Sequence, residues 1–147
     1  MSKEGEVNVG IEIVSMLHAG FRCGPSKEDV DQAQEFYGGL LGLEIDQKRP
    51  EIPGIPGFWT NLKPGDRSQQ LHVMGASGAS PVARSNQEDP TRVHLAFAVK
   101  DLAAARDELQ KKNIKFWEYK ALVGNASTQI FFEDPFGNVI EIQQSKN

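Results

Sequence analysis

Three histidines and one glutamate, His18, His72, His94 and Glu141, are the groups in this chain whose types and placement suit shared chemistry. Each falls in a short stretch with the apolar and polar alternation of a strand, where successive side chains point to opposite faces. In MLHAGFRC, Leu17, Ala19 and Phe21 form one row, and His18, Gly20 and Arg22 the other. In the stretch around Leu71 and Val73, the opposite row is Gln70, His72 and Met74. In RVHLAFAV, Val93, Leu95, Phe97 and Val99 oppose His94, Ala96 and Ala98, so the histidine has small neighbours. In NVIEIQQ, Ile140 and Ile142 oppose Val139, Glu141 and Gln143. The chain has three histidines in total, and none is spent on a loop. Imidazole nitrogens and carboxylate oxygens together suit a divalent ion: Zn, Ni, Co, Mn or Fe(II). A lone strand histidine is ordinarily just a hydrogen-bonded polar residue; matched positions in two halves argue for a shared site. The expectation depends on register, since a one-residue slip would turn a ligand into the core.

The elements that must position these groups repeat. The first half reads as strand MLHAGFRC, a helix from Ser26 through Phe36 and Tyr37, and three strands in LGLEID, GFWTNL and SQQLHVMG. Ser26 and Asp29 give the S-x-x-D capping signal, and Gly38, Gly39 and Gly42 are expected to break the helix. The second half reads as strand RVHLAFAV and a helix capped by Asp101, with Leu102, Ala105 and Leu109 at helical spacing. Strands NIKFWEYK, STQIFFED and NVIEIQQ follow, the last two joined by a turn over Asp134, Pro135, Phe136, Gly137 and Asn138. The small and polar run from Gly75 to Pro90 separates the halves. These readings predict an α+β fold of paired βαβββ modules, a cup-shaped mixed β-sheet with helices on its outer face. One domain spans 1–147, with modules at about 13–75 and 91–144 and a linker at about 76–90.

Composition narrows the class. At 147 residues, with 39% hydrophobic and 24% charged residues, the chain has the balance of a soluble globular domain. The net charge of -4, with Lys and Arg scattered, argues against nucleic acid as a partner. Met1 to Gly10 has no apolar core of a leader, and no stretch is long and apolar enough to span a membrane, so the expected location is the cytoplasm. Cys23 is the only cysteine; it excludes an internal disulfide and is expected in the core. The partner expected in the cup is a small-molecule substrate.

FYGGLLGLEI after a His-bearing strand, then HLAFAV-x-DLAAARDEL, then FFEDPFGNVIEI, together resemble the glyoxalase and bleomycin-resistance branch of the vicinal oxygen chelate superfamily. The resemblance runs from about Ile13 to Ile142, and DPFGNVIEI is similar to the DP-x-G-x-x-x-E signature, in which a turn delivers a glutamate ligand. It implies a metal held by His18, His94 and Glu141, with positions left open for two adjacent substrate oxygens. His72 stands where glyoxalase I enzymes usually carry a carboxylate ligand and where extradiol dioxygenases carry a histidine acting as acid and base, and both readings stay open. The implied activities are a lyase or isomerase working through an enediolate-type oxyanion, with Glu141 as ligand and base, and an Fe(II) ring-cleaving dioxygenase with His72 moving protons. A metal-free antibiotic-binding or resistance protein is the third. Homodimers are common in the family, and the cup is formed within one chain or across two. Arg22 is the candidate for a substrate carboxylate or phosphate. Trp59, with Phe58 and Trp117, is the candidate lining for an apolar substrate.

Overall fold

The computed structural model describes residues 10–123 and 127–146; residues 1–9, on which the leader reading rests, lie outside them. The chain runs β1 (Ile13–Cys23), α1 (Lys27–Gln34), β2 (Glu44–Ile45), β3 (Gly57–Lys63) and β4 (Asp66–Gly75). It then repeats the order with β5 (His94–Val99), α2 (Leu102–Lys111), β6 (Phe116–Lys120), β7 (Thr128–Glu133) and β8 (Val139–Gln144). All eight strands form one mixed sheet in the order β2-β3-β4-β1-β5-β8-β7-β6. Within each module the opening and closing strands are parallel neighbours, β1 with β4 and β5 with β8, as a crossover through a helix requires. The modules join edge to edge through antiparallel β1 and β5, so one chain builds the whole cup. Among the described residues no helix is long and apolar enough to cross a membrane.

The second helix behaves as its spacing predicts. Asp101 accepts from the Ala104 amide as N-cap, and Leu102, Ala105 and Leu109 are buried. They pack against Val99, Ile130 and Ile142 on the outer face of the sheet. The first helix has its Ser26–Asp29 capping box but buries none of its residues. Contrary to the expectation from sequence, Gly38 and Gly39 do not end it; the helix widens into a π-type turn over Glu35–Leu40, with the Leu41 amide reaching back to the Phe36 carbonyl. Glycine weakens a helix without forbidding it. The stop comes at Gly42, whose φ of 71° lets the Leu43 amide fold back onto the Tyr37 carbonyl. Leu41 to Leu43 are used in that termination, which is why β2 shrinks to Glu44–Ile45.

Residues 76–93 form neither helix nor strand, yet they are tied down around Asp89. This carboxylate, 1% exposed, accepts from the amides of Ser80 and Thr91 and from both their hydroxyls. Burial works against its charge, but these hydrogen bonds outweigh it and bring the pKa below the ordinary aspartate value. Cys23 is half-buried at the end of β1 and not in the core.

Candidate functional site

Two adjacent rows of residues cross the concave face. One runs Asn61, Gln70, His18, Ala96, Glu141, Phe131, Trp117, a residue from each strand between β3 and β6. The next runs Trp59, His72, Gly20, His94, Val139. Neighbouring strands lie about 4.8 Å apart, so functional groups two strands apart meet only if the residue between is small. Ala96 lies between His18 and Glu141, and Gly20 between His72 and His94. A Cβ at Gly20 would stand 2.6 Å from Cε1 of His94, so the imidazole occupies the space a side chain would need.

The result is a triangle of three buried ligand atoms. Nε2 of His18 lies 3.3 Å from Nε2 of His94 and 3.3 Å from Oε1 of Glu141, and Nε2 of His94 lies 3.0 Å from the same oxygen. Among the described residues this is the group able to hold a metal ion. The edges match neighbouring donors around an ion with bonds of about 2.0–2.2 Å. The hydrogen-bond chemistry fits too. Nδ1 of His94 lies 2.6 Å from the carbonyl oxygen of Arg92, which only accepts, so Nδ1 carries the proton and the neutral ring turns a lone pair toward the triangle. Glu141 presents Oε1 to both histidines while Oε2 accepts from Nε2 of Gln143 at 2.5 Å. Burial opposes charge on Glu141, but His18 and His94 hold its carboxyl well below the ordinary range. Burial likewise opposes charge on His94, and Glu141 outweighs it and raises the pKa. A proton and a metal ion thus compete for the same nitrogen of His94.

His72 stands beside the triangle and outside it. Its ring stacks on His18, with centroids 3.7 Å apart, and on Trp59, at 4.1 Å. Its Nε2 lies 2.9 Å from Oε1 of Gln70. A chain of fixed acceptors sets its tautomer. Asn61 donates to the Glu44 carboxylate, and Gln70 donates to Oδ1 of Asn61 and to the Asp46 carboxylate. Both carboxylates are held ionised: the Gly65 amide and Asn61 lower Glu44, and Asp46 has its burial outweighed by Arg67 and its other donors. The remaining Gln70 oxygen must then accept, so the His72 proton sits on Nε2 and Nδ1 keeps its lone pair. Burial, aided by the nearby His18, pushes the His72 pKa well down, so the ring is neutral.

The triangle lies in a cavity of about 490 Å³ lined from both modules, by Trp59, Met74, Ile52 and Ile55 of the first and Phe131, Gln129, Leu122 and Val123 of the second. Of the residues singled out in sequence, Trp59 lines it. Phe58 does not; it is adjacent to Trp59 in β3 and therefore on the opposite face, buried near Tyr37. Trp117 packs into an apolar cluster with Tyr119, Phe131 and Val139. Arg22 is placed away from this cavity: its guanidinium donates to the carbonyls of Thr91 and Gly78 and to the Thr91 hydroxyl, and Nη2 lies 3.4 Å from Asp89. Alternation gave its face correctly, but Arg22 lies near the end of β1, where the linker crosses and takes up its donors. Sequence reasoning passed over Gln70, Gln143, Gln129 and Arg49. The first two share the faces of His72 and Glu141 two residues away, a signal that was present; Arg49, in a proline-rich loop without periodicity, gave none.

A model of the family described as Glyoxalase/Bleomycin resistance protein/Dioxygenase superfamily matches residues 26–142. The chain is 26% identical over 135 residues to Glyoxylase I 4 of Arabidopsis thaliana, covering 90% of this chain and 71% of that protein. It is 26% identical over 124 residues to the mitochondrial methylmalonyl-CoA epimerase of Mus musculus, covering 80% and 67%. The crystal structure of methylmalonyl-CoA epimerase from Mycobacterium tuberculosis superposes with a TM-score of 0.66 at 20% identity, over 97% of this chain and 94% of that one, a likeness of fold.

Proposed function

This chain belongs to the Glyoxalase/Bleomycin resistance protein/Dioxygenase superfamily, and from that premise we infer that it is a metal-dependent lyase or isomerase acting on a small molecule in its cup. The observation that carries this reading is the triangle of His18, His94 and Glu141, with edges of 3.0–3.3 Å, at the junction of the two modules. Named relatives over most of the chain, a glyoxalase and an epimerase, support the reaction class. A divalent ion held by these three residues would supply Lewis-acid polarisation of adjacent substrate oxygens. Gln143 holds Glu141 in its orientation, and the tautomer set at Arg92 keeps His94 aimed inward. His72, its Nε2 tied to Gln70 and its Nδ1 unprotonated, offers a lone pair beside the triangle as a hydrogen-bond acceptor for a substrate hydroxyl, and burial makes it a weak base. The Trp59 ring, stacked on His72, covers that face of the imidazole. All of these groups come from one chain, so the reading needs no partner copy.

The test is turnover of a hemithioacetal by protein loaded with Ni, Co or Zn. Activity that disappears with a chelator and in His18→Ala supports the reading. Oxygen uptake on catechols after anaerobic loading with Fe(II) would replace it with the ring-cleaving dioxygenase. Ligand binding indifferent to chelator would replace it with a sequestering protein.

A further inference from the structure

The cavity wall contains a guanidinium with no ion-pair partner among the described residues. Arg49 lines the same space as the triangle, half-buried in the loop between β2 and β3. Its Nη2 donates to the Ile55 carbonyl at 2.8 Å, its Nε is enclosed without a partner among the described residues, and its guanidinium carbon lies 6.0 Å from the Trp59 ring centroid. The other arginine on this wall, Arg67, is paired with Asp46 at 2.9 Å. Arg49 has no such ion pair among the described residues; Glu51 acts on it only through space, and burial presses its pKa down. Lys48 and Lys146 also line the cavity, whereas Glu141, occupied by the two histidines, is its one carboxylate among the described residues.

The loop holds this charge rigidly. Pro50, Pro53 and Pro56 fix φ at three positions, and Ile52 and Ile55 are buried with Trp59 and Met74. A preformed, partly desolvated cation gains most from an anion that arrives already desolvated by the same cavity. From Arg49 a continuous stack leads inward through Trp59 and His72 to His18. Gln129, which also lines the cavity and is 2% exposed, has neither its oxygen nor its nitrogen hydrogen-bonded among the described residues. Such a buried amide is a standing demand for a polar partner.

We propose that the cup takes an anionic substrate, carrying a carboxylate or phosphate that is bound by Arg49, with an apolar or planar body lying along Trp59 toward the His18–His94–Glu141 triangle. The inference rests on the triangle being the reacting end, and it transfers to Arg49 the role that sequence alone gave to Arg22. Gln129 meets a polar group on the body of the same molecule.

The test is a tryptophan-fluorescence titration of the full chain with 4-phenylbutyrate, phenyl phosphate and the neutral 4-phenylbutyramide. The wild type is expected to bind at least one anion about tenfold more tightly than the amide, and the stronger anion identifies the charged group as carboxylate or phosphate. Arg49→Gln should erase that preference while leaving amide binding within about twofold, and Arg49→Lys should keep most of it. His18→Ala should lose metal and keep the preference, so failure of the metal reading and failure of this one are told apart. A wild type that binds neither anion better than the amide overturns the proposal, as does an Arg49→Gln protein of unchanged thermal midpoint that retains the preference.

Discussion

The two modules share an order of elements but fill their interiors differently. Beneath α2, three helical residues close an apolar core with Val99, Ile130 and Ile142, and the concave wall of the same module is largely aromatic, with Trp117, Tyr119 and Phe131. Beneath α1 no helical residue is buried, Phe36, Leu40 and Leu41 stay exposed, and the concave wall is a polar network of Asp46, Asn61, Gln70 and His72. The difference teaches a division of labour within a repeat. The second module supplies most of the packing that makes the sheet stable, and the first supplies hydrogen bonds that fix the protonation and orientation of groups beside the triangle.

The largest expected break of this contrast is in packing. Leu109→Ala removes a side chain 1% exposed and should destabilise the protein by about 2–5 kcal/mol in urea unfolding. Val30→Ala, on the unburied first helix, should stay below about 1 kcal/mol. Comparable values would erase the division. Next is the linker, where Asp89→Asn replaces an acceptor of four short hydrogen bonds with a group half of which donates; a loss of about 1–3 kcal/mol is expected.

Acid sharpens the same point. The Asp89 pKa is lower folded than unfolded, so its contribution is fully present above the unfolded value of about 3.9 and is lost as pH falls through the folded one. Wild type should therefore lose stability below about pH 4 more steeply than Asp89→Asn, and parallel curves would remove Asp89 from the account. The smallest effect concerns one proton. Nitrogen NMR should find neutral His72 protonated on Nε2, and Gln70→Leu should mix the tautomers while changing metal affinity less than about threefold.

Much of this was legible before any coordinates. Period-two alternation and the repeated order of elements were enough to place His18, His94 and Glu141 on one concave face, because small residues at Gly20 and Ala96 leave their side chains room to converge. Depth along a strand was not legible: Arg22 shares the face of His18 but meets the linker, whose Asp89 knot has no periodic signal. The end of the first helix was legible only in part, since Gly38, Gly39 and Gly42 all look like stops while the left-handed turn is at Gly42. Phe58 and Trp59 could not both line the cup, and alternation alone decides between them. Arg49 depends on a loop path set by three prolines and two buried isoleucines, which pattern reading does not trace.

Equilibrium metal binding by competition with a chromophoric chelator tests the central claim most directly. One divalent ion per chain is expected for wild type, with affinity falling at least about 100-fold in each of His18→Ala, His94→Ala and Glu141→Ala and about 10- to 100-fold in Gln143→Leu. Wild-type affinity retained in folded His94→Ala and Glu141→Ala proteins would contradict it.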